Sequence, residues 1–352
     1  MKSALKTDRP RLLALASATP PFAFDQTDVA RRAAVQFPRN SDIDRLLPVF
    51  NNAGIDTRYS CVPVEWYMEP HGWKDRTDLF LEHAQNLLEQ VTHKLLKATG
   101  LGVDDIDAIV AASTTGVATP SLDALMIERL KLRRDVARLP IFGLGCAGGV
   151  LGLARAADMA RARPGARVLF LVVELCALTF RKNDYSKSNI VATALFGDGA
   201  AGAIISTAGD GPVLGASGEH TWPHSLDVMG WDIEEDGLKA RFAQNIPALV
   251  SSDFRAILDH FLKANDLDLK DIDQFACHPG GAKVLEALEE ALTLENGALA
   301  DSRDILREYG NMSAVTALFV LERMRAKGPL GHVLMTALGP GFSACFLELD
   351  GR

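Results

Sequence analysis

The chain has 352 residues with 37 basic and 45 acidic side chains, and its net charge of -8 argues against a main role in binding nucleic acid. It is 48% apolar and 23% charged, a globular balance, and its longest apolar run is too short to cross a bilayer. The five cysteines lack metal-ligand spacing and the opening MKSALKTDRP leads into no signal-peptide pattern, so we expect a reduced, cytoplasmic protein without a membrane span.

The first half of the chain predicts alternating helices and strands. A helix over 78–97, capped by Asp78, is followed by the apolar strand AIVAAS at 108–113. Another apolar strand leads into a glycine-flanked turn at Cys146, and a strand over 168–173 follows and ends before Glu174. Such short, continuous apolar runs are typical of strands that are covered on both faces.

The second half repeats this pattern after a turn-rich join at 208–212. Asp253 can cap a helix, the strand QFAC ends at His278, and Asn311 opens an amphipathic helix. We therefore predict a layered α/β fold, with an N-terminal half over 1–207 that holds the cysteine and a C-terminal half over 208–352 that holds the histidine and the asparagine.

An internal repeat supports this division. The motif Asp-Ile-Asp occurs at 105–107 and again at 271–273, an offset of 166 (271 − 105). The strands beginning at Val168 and Val333 match with an offset of 165 (333 − 168). Two offsets that agree within one residue indicate duplicated halves of similar fold.

Three residues in these segments suit nucleophilic chemistry. Cys146 lies at a strand-to-helix turn, where glycines let a substrate approach and a helix N-terminus favours the thiolate. His278 ends an apolar strand, as a general base aimed into a cleft would. Subtracting 166 from Asn311 gives Gly145, so the repeat places Asn311 and Cys146 at matching turns, which we expect to meet near the centre.

Each of these residues also has a structural interpretation. A lone cysteine is most often a buried core residue, a histidine is most often a satisfied surface or core residue, and an asparagine before a helix is a favoured N-cap. Taken together, however, a thiol, an imidazole and an amide suit acyl transfer, because the thiolate can attack a thioester while two N–H donors stabilise the developing oxyanion or an enolate. We expect the thiol to work as a thiolate paired with protonated His278.

The motifs GCAGG, CHPGG and YGNMSA, in this order, resemble those of the type III polyketide synthases, the chalcone and stilbene synthase family. ALFGDGAA around Phe196, LGPGF at 338–342, TTG at 114–116 and LTFR at 178–181 are also similar to that family's segments. The resemblance covers nearly the whole chain. It implies a thiolase-type fold with αβαβα layers, a homodimer, no cofactor, and iterative decarboxylative condensation of malonyl-CoA onto an acyl-CoA starter.

The resemblance also implies roles for individual residues. Cys146 would carry the starter and the growing chain, while His278 and Asn311 would decarboxylate malonyl-CoA. Phe196 resembles the gatekeeper between the CoA tunnel and the cavity, although a core aromatic is its plain structural interpretation. The remaining implied residues are the cavity and cyclisation-wall positions Thr114, Thr115, Cys176, Thr179, Trp231, Ser313, Gly339, Pro340 and Gly341, and the CoA-binding positions Arg58 and Lys283.

Some positions depart from the family pattern. The second gatekeeper phenylalanine aligns with Ala240, and Phe242 is the alternative after a local shift. Trp231 stands where plant chalcone synthases have a glycine that keeps the cavity open, which argues against chalcone as the product. The segment MGWDIEEDGL resembles bacterial members that use fatty acyl starters and make alkylresorcinols or alkylpyrones.

Three alternatives stay open at this point. A ketoacyl-carrier-protein synthase of the type that starts fatty-acid synthesis also uses Cys, His and Asn, but its histidine is usually followed by Gln-Ala-Asn rather than Pro-Gly-Gly. A cysteine hydrolase would use water instead of malonyl-CoA, and the duplicated halves argue against it. A non-catalytic acyl-binding relative would not need all three residues.

Overall fold

The structure is a computed structural model that describes residues 9–37, 45–243, 246–295 and 297–352. Residues 1–8, part of the predicted N-terminal half and of the segment in which no signal peptide is expected, lie outside the described residues. The helices are α1 Gln26–Gln36, α2 Val49–Asn52, α3 Trp73–Thr99, α4 Leu122–Leu130, α5 Gly148–Ala162, α6 Lys187–Leu195, α7 Ile246–Leu249, α8 Arg255–Ala264, α9 Ala282–Leu292, α10 Ala300–Tyr309 and α11 Thr316–Lys327. The strands are β1 Arg11–Ala18, β2 Phe22–Asp25, β3 Thr57–Ser60, β4 Ala108–Ser113, β5 Ala137–Phe142, β6 Val168–Leu175, β7 Asp198–Ser206, β8 Val213–Thr221, β9 Met229–Glu234, β10 Gly237–Phe242, β11 Gln274–Cys277, β12 His332–Gly339 and β13 Ser343–Asp350.

The main sheet has nine strands in the order β11-β12-β13-β8-β1-β7-β6-β4-β5. It is formed by two groups of strands, because β1 and β8 are joined through the single residue pair Arg11 and Val213. The parallel pair β4–β6 in the first group corresponds to the parallel pair β11–β12 in the second. The predicted division of the chain at 207/208 falls in the connection between β7 and β8.

The repeated Asp-Ile-Asp motif makes the same contacts in both halves. The Asp107 carboxylate accepts a hydrogen bond from the backbone N–H of Arg167 at 2.8 Å, just before β6. The Asp273 carboxylate accepts one from the backbone N–H of His332 at 2.7 Å, at the start of β12. The same local geometry recurs at the offset predicted from the sequence, which confirms the duplicated halves.

The core has the predicted α-β-α-β-α layering. Helices α5 and α11 pack in the central layer, against inward-facing side chains of both groups of strands. Helices α3 and α4 cover the outer face of the first group, and α8 and α9 cover that of the second. The N-termini of the two central helices therefore face each other in the middle of the molecule.

The two central helices approach each other closely at their N-terminal turns. A Cβ atom built on Gly149 in α5 would lie 2.0 Å from the carbonyl oxygen of Ala314, in the short turn Ser313–Val315 that leads into α11. One on the preceding Gly148 would lie 3.3 Å from the Cβ of Ala314. The expected meeting of the turns at Cys146 and Asn311 depends on this glycine contact.

Two predicted helix starts were wrong. Helix α3 begins at Trp73, whose indole N–H bonds to the carbonyl of Glu234, and Asp78 pairs with Lys74 instead of capping. Asp253 lies inside a helical turn, where its carboxylate accepts the indole N–H of Trp222 at 3.1 Å. In the described ranges, no helix is both long enough and apolar enough to cross a membrane.

Candidate active site

Cys146 lies in a one-turn 3-10 helix, Gly145–Ala147, between β5 and α5. Gly145 has a φ of 48°, in the left-handed region that favours glycine, and a Cβ there would lie 2.4 Å from the ring of Pro340. Its backbone N–H donates to Thr114 Oγ1 at 2.9 Å, which fixes the turn from the opposite side. The Cys146 Sγ lies 3.6 Å from the Oγ of Ser313, which lies two residues after Asn311 in the second half.

Asn311 is held by hydrogen bonds at both ends of its side-chain amide. Its Oδ1 accepts the backbone N–H of Ser313 at 2.8 Å, as an N-cap would, and its Nδ2 donates to the carbonyl of Gly280 at 3.1 Å. An amide nitrogen carries two hydrogens, so one N–H stays free for a substrate. The capping and chemical interpretations of Asn311 are therefore compatible.

His278 follows β11 and is fixed through its backbone, whose N–H donates to the carbonyl of Thr336 at 2.8 Å. The side chain is buried, and within the described residues neither ring nitrogen has a hydrogen-bond partner. A buried imidazole without partners is costly, so both nitrogens are placed to serve a ligand. Neighbouring Cys277 packs in the core, as expected.

The three residues line one cavity of about 410 Å³. Apolar side chains form most of its wall, including Phe242, Phe254 and Leu338. Three exposed cations also line the cavity, namely Arg45, Lys187 and Lys283. The described lining residues include no acidic side chain, so the cavity favours an anionic ligand.

Burial favours the neutral forms of both Cys146 and His278. It raises the pKa of the Cys146 thiol to about 12 and lowers the pKa of His278 to about 4. In this structure the forms favoured at neutral pH are therefore a thiol and a neutral imidazole within one cavity, and the expected thiolate–imidazolium pair is not favoured. A neutral imidazole still has one nitrogen that can take a proton and one N–H that can donate.

Glu174 is a buried carboxyl group close to this site that the sequence did not identify as functional. It lies inside β6, where its Oε2 accepts the backbone N–H of Thr114 at 3.0 Å and the Oγ1–H of Thr115 at 2.7 Å. Burial raises its pKa to about 7, and its negative charge adds to the rise in the pKa of Cys146. A single charge at the end of an otherwise apolar strand was the signal in the sequence.

Phe196 lies at the end of α6 and packs with a small group of side chains from β9 and β10. Its ring centroid is 5.8 Å from that of Trp231 and 5.6 Å from that of Phe242. Phe242 lines the cavity of Cys146, whereas Ala240 is buried in the group behind it. Phe242 and Ala240 thus both pack with Phe196, but only Phe242 lines the cavity.

The predicted single chamber is divided in this structure. Cys176, Thr179 and Phe196 line a second, apolar pocket of about 90 Å³, together with Phe37 and Tyr67. The ring pair of Phe196 and Phe242 lies between this pocket, called the side pocket below, and the cavity of Cys146. The prediction that Cys176 and Thr179 share a chamber with Cys146 was therefore wrong for this arrangement of the rings.

The loop Gly339–Pro340–Gly341 packs directly on the nucleophile turn. A Cβ on Gly339 would lie 2.6 Å from the carbonyl oxygen of Leu144, and Pro340 occupies the space that Gly145 leaves. The carbonyl of Gly341 accepts a hydrogen bond from Ser225 Oγ at 3.2 Å. This loop therefore packs against the turn of Cys146, but its three residues line neither the cavity nor the side pocket, and their role as a cyclisation wall stays a prediction.

The structure does not support a CoA-binding role for Arg58. Its side chain is buried, and its Nη1 donates to the carbonyls of Thr193 and Phe196 at 2.6 and 2.8 Å. Both bonds of this nitrogen are to backbone carbonyls, and Arg58 lines the side pocket rather than the cavity of Cys146. The sequence also missed Arg45 and Lys187, because only the fold brings these distant residues to the cavity of Lys283.

The described residues contain no group of three or more His, Cys, Asp or Glu side chains that could hold a metal ion.

The model of the N-terminal domain of chalcone and stilbene synthases matches residues 6–210, and that of the C-terminal domain matches residues 214–343.

Individual relatives match over nearly their whole length. The chain is 37% identical to a 1,3,6,8-tetrahydroxynaphthalene synthase of Streptomyces peucetius subsp. caesius, covering 96% of this chain and 92% of the relative. It is 29% identical to the α-pyrone synthesis polyketide synthase-like Pks18 of Mycobacterium tuberculosis, covering 93% and 87%. The crystal structure of the 1,3,6,8-tetrahydroxynaphthalene synthase of Streptomyces coelicolor A3(2) superposes with a TM-score of 0.93 at 26% identity, covering 97% and 99%.

Proposed function

Since the chain belongs to the chalcone and stilbene synthase family and is a type III polyketide synthase, we propose that it extends a fatty acyl-CoA starter with malonyl-CoA and cyclises the product to an alkylpyrone or alkylresorcinol. Two CoA thioesters are its only small-molecule requirements in this proposal. The family decides against a hydrolase or a ketoacyl-carrier-protein synthase as its class.

The observation that carries the starter class is the side pocket. Most of its exposed lining is carbon, although Arg32, Gln36 and Arg58 also contribute, and Phe196, Cys176 and Thr179 form part of its wall. An alkyl chain is the substituent that gains most from such a lining, at about 0.8 kcal/mol for each methylene group buried. Trp231 packs against Phe196 on the other side, which leaves less room for a bulky aromatic intermediate. Pks18, whose name assigns it to α-pyrone synthesis, is a relative consistent with this chemistry.

Loading begins with the neutral pair of Cys146 and His278. The imidazole accepts the thiol proton as the sulfur attacks the acyl-CoA carbonyl, and it then protonates the CoA thiolate that leaves. The acyl group is now a thioester on Cys146. The raised pKa of the thiol makes this proton transfer a required part of the step.

Extension uses the two N–H donors of the cavity. Malonyl-CoA loses carbon dioxide, and the enolate oxygen accepts hydrogen bonds from the His278 ring and from the free N–H of Asn311. The enolate carbon attacks the thioester on Cys146, a carbon–carbon bond forms, and the cysteine sulfur is released. Transfer of the longer chain from CoA back to Cys146 permits the next cycle.

Arg45, Lys187 and Lys283 are the proposed contacts for the CoA phosphates. They lie on three separate segments yet line the same cavity as Cys146, and among the described residues no acidic side chain lines it. Exposed cations in this arrangement raise the local concentration of a polyanion. Of these three residues, only Lys283 was predicted from the sequence.

We also propose a homodimer, and the position of β5 at the edge of the sheet supports it. This strand ends the sheet, so one side of its backbone has no neighbouring strand in the described residues. Phe142 at its end is 60% exposed, and Val117, which follows β4, is 50% exposed. An exposed sheet edge and large exposed apolar side chains favour pairing with a second chain. Phe142→Asp should sediment as a monomer, and a native protein that sediments as a monomer would contradict the proposal.

The experiment is a product assay with malonyl-CoA and acyl-CoA starters of increasing length, read by mass spectrometry. We expect pyrones or resorcinols that increase in yield with starter length and disappear in Cys146→Ala. Cys345→Ala is the matched control, because Cys345 is buried but lines neither pocket. Tetrahydroxynaphthalene from malonyl-CoA alone, with no use of long starters, would contradict the fatty acyl assignment and leave the family intact.

A further inference from the structure

Arg58 is an unusual residue for its position. It is buried, its Nε has no hydrogen-bond partner, and within the described residues it makes no ion pair. Burial lowers the pKa of its guanidinium to about 10, although Tyr67 and Asp198 act in the opposite direction. Holding a charge in such a place costs free energy, so we expect the hydrogen bonds of Arg58 to serve a role in the structure around it.

The contacts of Arg58 lie at the end of α6. One nitrogen, Nη1, donates to the carbonyl of Thr193 at 2.6 Å and to that of Phe196 at 2.8 Å. The last carbonyls of a helix lack partners inside the helix, so a buried helix end needs such donors. Phe196 is the residue at which α6 stops and the chain turns into extended backbone.

The backbone at Gly310 leaves space for the side chain of Arg58. A Cβ on Gly310, which has a φ of 70°, would lie 2.8 Å from the Arg58 Cγ and 2.9 Å from the carbonyl of Leu195. The next residue, Asn311, holds the other side of the same segment: its N–H donates to the carbonyl of Leu195 and its carbonyl accepts the N–H of Gly197. Phe196 is therefore held between Arg58 and the backbone of a proposed catalytic residue.

We propose that Arg58 is a positioning residue that fixes the backbone of Phe196 and thereby sets how the ring divides the catalytic cavity from the side pocket. Without the two carbonyl bonds the end of α6 loosens, the ring moves more freely, and the enzyme loses discrimination between starters of different length. The part of this inference that concerns starters rests on the proposed function. The part that concerns the helix end does not.

Two substitutions separate donation from packing. Arg58→Met keeps an apolar stem and donates nothing, whereas Arg58→Lys keeps a cation that can serve both carbonyls, because both bonds leave from one nitrogen. Arg129→Lys is the matched control, since Arg129 bonds to Glu89 and Asn86 and lines neither pocket. The amides of Phe196 and Gly197, bonded to Ala192 and Asn311, report on the segment.

Hydrogen exchange measures whether Arg58 fixes the backbone of Phe196, and it does not require an active enzyme. We expect the Phe196 and Gly197 amides to exchange about 10-fold faster in Arg58→Met, with most protection regained in Arg58→Lys and no change in Arg129→Lys. Unchanged exchange in Arg58→Met would overturn the proposal, even if that protein were an active synthase. General loss of protection in Arg58→Met, together with the same loss in Arg58→Lys, would show a purely structural role and would also overturn it.

The starter profile tests the consequence. In Arg58→Met the ratio of kcat/KM for long and short acyl-CoA starters should fall about 5-fold, mainly through KM, and Arg58→Lys should restore it. In a Phe196→Ala background the same substitution should change this ratio no further, because Arg58 acts through that ring. Equal effects of Arg58→Met in both backgrounds would refute the coupling to Phe196. A native protein that uses no acyl starter would refute the proposed function instead. The exchange result would still show whether Arg58 fixes the backbone of Phe196.

Discussion

The glycine pair at the start of α5 gives the sharpest test of how the two halves form one site. In Gly149→Ala the new Cβ would lie 2.0 Å from the carbonyl oxygen of Ala314, whereas ordinary contact begins at 3.4 Å. The two helix ends must therefore separate by about 1.4 Å (3.4 − 2.0). Ala314 directly follows Ser313, so this movement separates Cys146 from Asn311.

Two effects of this separation can be estimated. Overpacking a close-packed core costs about 1–3 kcal/mol, and the better helix propensity of alanine returns about 1 kcal/mol. Misplacing catalytic groups by about 1 Å can lower the rate about 100-fold. Gly149→Ala should thus lose about 0–2 kcal/mol of unfolding free energy and about 100-fold in condensation rate.

Gly148→Ala is the matched control, because its Cβ would meet the Ala314 Cβ at 3.3 Å, a contact that a small shift relieves. It should stay near the native unfolding free energy and within a few-fold of the native rate. The assays are urea unfolding and turnover with malonyl-CoA and acyl-CoA. A Gly149→Ala enzyme with near-native turnover, or equal losses in both variants, would refute the reasoning that these helix ends position the site.

Further predictions concern charge. The negative charge of Glu174 raises the pKa of Cys146, so Glu174→Gln should speed alkylation of Cys146 by iodoacetamide about 3-fold at pH 8. The gain should fade below pH 7, because the native Glu174 carboxyl, with a pKa of about 7, is protonated there. In the native enzyme the alkylation rate should keep rising up to pH 10, since burial raises the thiol pKa to about 12, and a plateau near pH 7 would instead show a thiolate paired with His278. Replacing Arg45, Lys187 or Lys283 by alanine should raise the KM for malonyl-CoA about 5-fold at low salt, with a smaller effect at high salt, while the exposed Lys74→Ala should not change it.

Much of the fold could be predicted because the chain repeats itself. The matched offsets of the Asp-Ile-Asp motif located two equivalent strands, and subtracting the offset from Asn311 led to the turn of Cys146. Both results depend on local sequence and on duplication, so neither requires tertiary detail. The start of α3 was missed because tertiary contacts of Trp73 with β9, rather than a local cap, determine it.

The site was less predictable wherever distant segments converge. Arg45, Lys187 and Lys283 form a group only after folding, and Arg58 resembles a surface cation until its burial is known. The ionisation of Cys146 also depends on distant segments. The helix N-terminus favours a thiolate locally, but desolvation by the surrounding core is the larger effect and acts in the opposite direction.

The most direct test of the central claim is peptide mass spectrometry of the enzyme after brief mixing with a fatty acyl-CoA. The account predicts a fatty acyl group on the peptide that contains Cys146, and its discharge into an extended, cyclised product when malonyl-CoA is added. No acyl group on Cys146, or one that malonyl-CoA does not discharge, would contradict the assignment of this cavity as a condensing site for fatty acyl starters.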